Sequence, residues 1–583
     1  MRYLPDPTMT KFTDKVAVLG CPDSLERFRS HAPAPWTAEV LANLKRWGFT
    51  QVQLNLAWGA RPDDEPLNLE DLVDPSPEIA LRSPQPAEFV CLPGADAREA
   101  RRTLIGRRLD MAKAAGLRTL FHFGAPYNRH CYYGDTPPNC IMDPGVHDRY
   151  EDLIQRFAAD FPGVDDLLVY TYDQDAWLCS EFGCCPNCNG VPLHERLPQF
   201  LDRLRRTWLA INPDGRLWWE PWELSAAQVT ACVGRLEPHG FGLSLHANIA
   251  ESMANIAADP WFVRTARQAQ SRGIPVWAEW FLGGVSEETE PIQHLAHPIT
   301  IWRGLRRILA TSGVTGLKEY YGLLPDRYEA DFNLQATVLF LDQPDLSEEE
   351  VLRHLSAPYG AASSAVSEAL RLAGEGMEFY PWDCSWYGRE IGRSVTDHSL
   401  AAAILRPMIC PTPSWESTRG TVFMRTEATP AHPWMLEDVG LRAAQAVEIW
   451  AKALASISAG ISLVDGKQRE SLTRWHESLS ALRRRARAYA LHLRATMIAT
   501  AARIRINDGI SLPPSMAAEM REVLQASRAN HAEECRATGA PYTWNEMDSA
   551  IRDLGDDLPE WLKHWLQPAA DQRSKGMFSL TSV

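Results

Sequence analysis

The chain has 583 residues, of which 45% are hydrophobic and 23% charged, a composition typical of globular proteins with about two to four domains. Its net charge of −15 argues against a nucleic-acid partner, because a phosphate backbone attracts basic surfaces. No apolar run approaches the roughly 20 residues of a membrane helix, and the N-terminus MRYLPDPTMTKF lacks the apolar segment of a signal peptide. We therefore expect a cytoplasmic protein that binds neither nucleic acid nor membrane.

Eight short apolar runs, each ending in a polar or aromatic cluster, occupy roughly the first 330 residues, and most are followed by a helical pattern. This alternation predicts a (β/α)8 barrel, whose chemistry lies at the C-terminal ends of the strands. The predicted strands are Lys15–Leu19, Gln51–Trp58, Leu117–Phe123, Asp166–Tyr172, Arg216–Trp219, Phe241–His246, Ile274–Glu279 and Val314–Tyr321.

Helical spacing and stop signals place the helices between these strands. The helix that ends before Gly116 has a natural C-cap, and the turn at residues 212–215 (NPDG) ends another. The predicted helices are Thr37–Trp47, Arg98–Ala115, Arg149–Phe161, Leu193–Ile211, Ala226–Leu236, Trp261–Arg272 and Ile299–Thr311.

The pattern changes past about residue 340. We expect an N-terminal extension (1–14), a catalytic barrel (15–340), a helical and irregular segment (341–430), a helical domain (431–571) and a disordered tail (572–583). A heptad-like seam in the helical domain indicates packing within that domain, with a homodimer contact as the alternative. Its members are Leu472, Trp475, Leu479, Leu482, Ala486, Tyr489 and Leu493.

A cysteine cluster, CSEFGCCPNC, follows the fourth predicted strand over residues 179–188. Cys185-Pro-Asn-Cys188 is typical of a thiolate knuckle, in which a tight turn lets two sulfurs bind one tetrahedral ion. We predict a structural zinc or similar ion bound by the pair Cys185 and Cys188, with Cys179 or Cys184 as the third ligand. Free thiols or a redox pair are the alternative. The loop after the third strand offers His130, Cys131 and Cys140 as further ligands.

Acidic residues stand at the ends of several predicted strands and are surrounded by aromatic residues. The candidates for chemistry are Asp173, Asp175, Glu279 and Glu319, of which the last two interrupt otherwise apolar runs. Burial at a strand end raises the pKa of a carboxyl group, as a general acid requires. Any one of these acids could instead cap a helix or pair with an arginine.

Other side chains near the strand ends suit hydroxyl hydrogen bonding and ring stacking, so we expect them to bind a sugar at the mouth of the barrel. For any single tryptophan, core packing is the competing interpretation. The expected substrate-binding residues are Asn55, Trp58, His122, Tyr127, His130, Tyr172, Trp219, Glu220, His246, Asn248, Trp277, Trp280, Tyr320 and Tyr321.

Two segments, YTYDQDAWLCSEFGCCPNC (170–188) and LFLDQPDLSEEEVLRHLSAPYG (339–360), resemble the hexosaminidase-like and α-glucuronidase-like glycoside hydrolases. The resemblance implies a (β/α)8 glycosidase with an acid at the fourth strand, so Asp173 or Asp175 would be the general acid. Glu279 or Glu319 would be the nucleophile or base, and Glu279 is favoured because barrel glycosidases commonly carry the partner carboxylate at the seventh strand. The hexosaminidases have an adjacent Asp-Glu pair where this chain has Asp173-Gln174-Asp175. That departure argues against substrate-assisted catalysis on N-acetyl sugars and leaves a direct two-carboxylate mechanism.

Two other functions fit the same residues. A metal-dependent sugar isomerase, epimerase or aldolase would use the strand-end carboxylates and His246 as ligands for a divalent ion. A carbohydrate-binding protein without activity would use the barrel mouth alone. For the glycosidase we expect no cofactor in catalysis and a carbohydrate as the partner.

Overall fold

The computed structural model describes residues 11–20, 36–56, 65–82, 94–128, 139–171, 176–221, 224, 226–247, 258–280, 282, 292, 295–319, 322–380, 433–542 and 544–563. The chain divides into two compact units. One comprises Met1–Pro291 and Ile301–Val351, and the other comprises Ile292–Thr300 and Leu352–Val583.

The first unit contains a closed barrel of eight parallel strands in chain order, which confirms the predicted fold class. The barrel closes because the first strand pairs in parallel with the eighth. The strands are β1 (Asp14–Ala17), β2 (Gln51–Gln53), β3 (Arg118–Gly124), β4 (Asp166–Tyr170), β5 (Arg216–Glu220), β6 (Phe241–His246), β7 (Val276–Trp280) and β8 (Val314–Glu319).

Helices follow the strands, and their ends agree with the capping signals. Thr37 caps the first helix by accepting a hydrogen bond from the Val40 amide, and Gly116 has the positive φ of +69° expected after a helix. The helices up to residue 342 are α1 (Ala38–Arg46), α2 (Pro77–Arg82), α3 (Ala95–Ala114), α4 (Pro144–Asp160), α5 (Leu193–Ile211), α6 (Ala226–Val233), α7 (Pro260–Ser271), α8 (Pro298–Leu309) and α9 (Phe332–Asp342).

The interior of the barrel is closed by two stacked indoles, Trp218 of β5 and Trp277 of β7, which we call the indole floor. Their ring centroids are 3.4 Å apart and the ring planes differ by 18°. Two glycines leave room for them: a β-carbon on Gly242 would lie 2.3 Å from the Trp218 ring, and one on Gly316 would lie 2.7 Å from that of Trp277. The other members of this layer are Val16, Leu120 and Leu168.

The helices described beyond residue 342 range from nine to 42 residues in length. They are α10 (Glu348–Ser356), α11 (Ser363–Phe379), α12 (Pro433–Ile461), α13 (Gly466–Asn507), α14 (Pro514–Thr538) and α15 (Asn545–Asp553). In the second unit α13 packs against α12 and α14. All seven residues of the predicted heptad seam are buried on α13, so the seam packs within the chain. The predicted disordered tail, 572–583, lies outside the described residues.

Candidate active site

A layer of polar side chains lies directly above the indole floor. Successive residues of a strand point to opposite faces, so the residue two positions after a floor tryptophan again points inward. By this rule Glu220 follows Trp218 on β5 and Glu279 follows Trp277 on β7. We call this set the polar layer, and its members are His122, Tyr170, Glu220, His246, Glu279 and Lys318, all at most 6% exposed.

Glu279 is held by three donors. Its Oε1 accepts hydrogen bonds from Ser244 Oγ at 2.6 Å and from Lys318 Nζ at 3.0 Å, and its Oε2 lies 2.9 Å from His246 Nε2. Burial by itself would raise the pKa of the carboxyl group, but Lys318, His246 and Ser244 outweigh it and hold the pKa of Glu279 well below its ordinary value. Glu279 is therefore a carboxylate at neutral pH.

Glu220 has a different environment, although it is just as buried. Its Oε2 lies 3.4 Å from His122 Nε2 and its Oε1 lies 3.4 Å from His246 Nε2, both longer than a typical hydrogen bond. Burial, followed by the negative charge of Glu279, raises the pKa of Glu220 to about 7. Burial lowers the pKa of His122 well below its ordinary value, so this imidazole is neutral.

His246 links the two glutamates through one nitrogen. Burial alone would lower the pKa of His246, but the adjacent Glu279 and Glu220 raise it overall. One donor atom from each of Glu220, His246 and Glu279 lies within 4.8 Å of the other two, a grouping that could also hold a metal ion. The site thus brings together two carboxyl groups, one ionised and one with a raised pKa, with imidazole and ammonium groups around them.

The polar layer contains four of the residues expected from the sequence: His122, Glu220, His246 and Glu279. Lys318 and Ser244 were missing from that set. Strand alternation could have identified both, because Ser244 stands two residues before His246, and Lys318 pairs in register with Glu279.

Glu319, expected from the sequence as a catalytic residue, lies outside the polar layer. Lys318 points into the barrel, so the next residue on the strand points away from it. The two carboxylate oxygens of Glu319 accept hydrogen bonds from the backbone amides of Leu282 and Gly322, at 2.9 and 3.1 Å. Glu319 therefore fixes the segments that follow β7 and β8.

The expected substrate-binding residues Asn55 and Tyr127 are buried and form hydrogen bonds with the backbone of neighbouring segments. Asn55 donates to the carbonyl oxygens of His122 (2.8 Å) and Pro66 (3.1 Å), and its Oδ1 accepts from the amide of His122. Tyr127 is 5% exposed, and its carbonyl oxygen accepts from Asn139 Nδ2 at 2.6 Å.

Three tryptophans expected to stack on a sugar are buried away from the mouth. Trp277 belongs to the indole floor, and its Nε1 donates to Asp14 at the opposite end of the barrel. Trp219 and Trp280 point away from the barrel interior: Trp219 donates to Thr171, and a β-carbon on Gly304 of α8 would lie 2.4 Å from the Trp280 ring. Core packing is therefore the role of all three.

The other expected site residues lie outside the described residues, and their assignments stay predictions. They are the acids Asp173 and Asp175 and the binding residues Trp58, His130, Tyr172, Asn248, Tyr320 and Tyr321.

A second cluster of chemistry-bearing side chains lies beyond β4. The sulfurs of Cys140, Cys179, Cys185 and Cys188 lie within 4.8 Å of one another, and all four residues are buried. Of the two candidates for the third ligand, Cys179 belongs to this group, whereas Cys184 is exposed and lies outside it. Cys140, from the segment after β3, occupies the fourth position.

Among the described residues, no helix combines the length and the apolar character needed to span a membrane. No protein family model matches the chain, and no curated protein sequence matches it either.

Solved structures of glycoside hydrolases are similar to this chain to different degrees. An enzyme of family GH138 that targets the pectin rhamnogalacturonan II has a TM-score of 0.59 and 13% identity, covering 97% of this chain and 84% of its own. A mutant O-GlcNAc hydrolase of Thermobaculum terrenum has a TM-score of 0.40 and 12% identity, with 97% of both chains covered. A family 5 glycoside hydrolase of Prevotella bryantii has a TM-score of 0.36 and 13% identity, covering 59% of this chain and 99% of its own. At 13% identity the first of these similarities supports the fold and nothing finer, and the other two, with TM-scores below 0.5, carry no argument.

Proposed function

We propose that the protein is a retaining glycoside hydrolase in which Glu279 is the nucleophile and Glu220 the general acid and base. One observation carries the proposal: two carboxyl groups whose oxygens lie within 4.8 Å of each other have pKa values shifted in opposite directions. Retaining enzymes have carboxyl groups about 5 Å apart, whereas inverting enzymes need roughly 6.5–9.5 Å to admit a water molecule.

Glu279 suits nucleophilic attack because it is ionised and oriented. Ser244 and Lys318 hold its Oε1, which leaves Oε2 to attack the anomeric carbon. A bond forms between Oε2 and that carbon while the bond to the leaving-group oxygen breaks. The negative charge of Glu279 is lost in the resulting ester, so the ammonium of Lys318 loses part of its partner's charge at this step.

Glu220 suits proton transfer because its pKa of about 7 keeps a proton available near neutral pH. It donates this proton to the glycosidic oxygen as the bond to the leaving group breaks. The carboxylate then removes a proton from the water molecule that hydrolyses the ester, which regenerates both groups. This assigns to Glu220 the acid role that the sequence suggested for Asp173 or Asp175.

The test is hydrolysis of a panel of aryl α- and β-glycosides that are neutral, N-acetylated or acidic. The panel also includes rhamnogalacturonan II fragments, because the structural neighbour from family GH138 targets that pectin. We expect wild-type enzyme to cleave one member with retention of anomeric configuration, measured by NMR of the first product formed. Inversion would contradict the short separation of Glu220 and Glu279.

The two glutamates are distinguished by leaving-group dependence. Glu220→Ala should keep kcat/KM on a substrate whose phenol leaves without protonation and lose it on an alkyl glycoside. On the phenol substrate kcat should fall, because no base activates water to hydrolyse the ester, and it should recover with azide as an added nucleophile. Glu279→Ala should lose turnover on both substrates. A 2-fluoro derivative of the cleaved glycoside should add its sugar mass to the peptide that contains Glu279. Labelling of another peptide would assign the nucleophile elsewhere.

A metal-dependent sugar isomerase, epimerase or aldolase is the second candidate, because Glu220, His246 and Glu279 could coordinate a divalent ion. The ammonium of Lys318, 3.0 Å from Glu279 Oε1, opposes a cation at this position. Loss of turnover on chelation, and its recovery with Mn²⁺ or Mg²⁺, would favour this candidate. A panel that is bound without turnover would favour a carbohydrate-binding protein.

A further inference from the structure

We propose that Cys140, Cys179, Cys185 and Cys188 bind one zinc ion that joins the segments after β3 and β4. This inference is independent of the reaction proposed above. The four sulfurs form a group separate from Glu220, His246 and Glu279, and they come from two segments whose closest ligands, Cys140 and Cys179, are 39 residues apart in the chain.

The distances between the sulfurs match a tetrahedral site. A zinc ion with Zn–S bonds of about 2.3 Å separates its sulfurs by about 3.8 Å. The Sγ of Cys140 lies 3.3 Å from that of Cys188 and 3.7 Å from that of Cys185, and all four sulfurs lie within 4.8 Å of one another. A disulfide requires about 2.05 Å, so these are four thiols rather than two bridges. A four-iron cluster binds each sulfur to a separate iron and needs a wider separation.

The backbone is shaped to present the sulfurs to one point. The amides of Cys188 and Asn189 both donate to the carbonyl oxygen of Cys185, which makes the tight turn of a knuckle. The positive φ of Gly190 (+74°) turns the chain directly after the second sulfur. The amide of Met142 donates to the sulfur of Cys140 at 3.4 Å, a contact that stabilises a thiolate.

Charge and burial give a second argument. Four thiolates bound to zinc carry a net charge of about −2, which is costly to bury without a nearby cation. Arg196 of α5 is 2% exposed and lies beside the cluster: its guanidinium donates to the carbonyl oxygens of Cys179 and Val191. If the four thiols were neutral and bound no ion, the contacts just named would give Arg196 only neutral carbonyl oxygens as partners.

The ion would reinforce an existing connection between two loops on the catalytic side of the barrel. Asn128 donates to the carbonyl oxygens of Asn139 and Trp177, and Tyr127 pairs with Ala176 in a short antiparallel bridge. Zinc would fix Cys140 to the knuckle a few residues beyond these bonds. Its role is therefore structural, because four protein ligands leave no position for a substrate or water.

Two adjacent cysteines provide the matched pair for the test. Cys185 is a proposed ligand, whereas Cys184, next to it in the chain, is exposed and outside the group. We expect metal analysis of the purified full-length protein to give about one zinc per chain, retained in Cys184→Ser and lost in Cys185→Ser. Release of zinc by a mercurial thiol reagent, followed with a chromogenic chelator, measures the same site in wild-type protein if Cys185→Ser does not fold.

Cobalt gives a readout of the ligands themselves. Replacement of the ion by Co²⁺ should produce sulfur-to-metal charge-transfer absorption and the visible bands of tetrahedral cobalt in wild type and Cys184→Ser. Wild-type protein that neither contains zinc nor takes up cobalt would overturn the proposal, as would iron in place of zinc. Zinc that survives in Cys185→Ser, or that is lost equally from Cys184→Ser, would place the metal elsewhere.

Discussion

Replacement of Glu220 by glutamine should abolish general acid catalysis and stabilise the folded protein at alkaline pH. Glutamine has the shape of the protonated glutamate but cannot ionise. In the folded wild-type protein the carboxyl group of Glu220 is buried above the indole floor and beside the charge of Glu279. Both conditions favour its protonated form. The folded state therefore disfavours the carboxylate of Glu220 that the unfolded chain would carry above pH 4.5.

The magnitude follows from the shift from 4.5 to about 7 in the pKa of Glu220. At about 1.4 kcal/mol for each pH unit, the carboxylate costs up to about 3 kcal/mol of folding free energy once it ionises. Because the folded pKa is the higher one, the stability that the proton contributes is fully present below about pH 4.5 and is lost as the pH rises to about 7. Glu220→Gln avoids this loss, so its advantage should be up to about 3 kcal/mol at pH 8 and below about 1 kcal/mol at pH 5.

The assay is urea unfolding of wild type and variant at pH 5 and pH 8, with hydrogen exchange of the strand peptides to assign the transition to the barrel. Glu319→Gln is the matched control. Glu319 accepts hydrogen bonds from two backbone amides, so this variant should be less stable than wild type at both pH values. A Glu220→Gln variant that is no more stable than wild type at pH 8, or equally stabilised at both pH values, would refute the reasoning.

Three further outcomes follow from the same geometry. Turnover should fall as pH rises through about 7, since Glu220 must carry its proton in the free enzyme, and a profile of kcat/KM that stays flat to pH 9 would contradict this. Lys318→Met should raise the pKa of Glu279, shifting the acidic limb of that profile upward, and should cost about 3–5 kcal/mol in urea unfolding because a buried carboxylate loses its cation. Gly242→Ala should cost about 1–3 kcal/mol in the same assay, since its β-carbon would meet the Trp218 ring at 2.3 Å; an unchanged midpoint would show that the floor can move.

The barrel could be predicted because its strands are buried on both faces and therefore stand out as apolar runs. The predicted bounds of β6, Phe241–His246, and of α5, Leu193–Ile211, agree with the structure at both ends. Glu279 could be predicted for the same reason, since a carboxylate inside an apolar run is costly unless partners surround it. The contacts of Lys318 and Ser244 with Glu279 could not be predicted, because these partners come from the neighbouring strands β8 and β6 and reach Glu279 only in the observed register of those strands with β7.

The sequence did not indicate how deep in the barrel, or on which face of its strand, each side chain lies. Trp277 stands only two residues before Glu279 in the sequence, yet it lies below the polar layer and its Nε1 donates a hydrogen bond to Asp14. Glu319 directly follows Lys318, yet strand alternation directs it away from the interior. The sequence also left the third and fourth metal ligands open, because exposure separates Cys184 from Cys185 and the choice of Cys140 among the loop residues depends on the fold.

The roles of the two glutamates depend on where a single cation lies. Glu220 and Glu279 are equally buried, so desolvation raises the pKa of both carboxyl groups. β8 pairs in register with β7, which places Lys318 beside Glu279. Glu220 has imidazoles as its near neighbours, and burial keeps one of them, His122, neutral. The ammonium thus favours the carboxylate of Glu279, and burial together with that anion favours the proton on Glu220, so Lys318 supports both of the proposed roles.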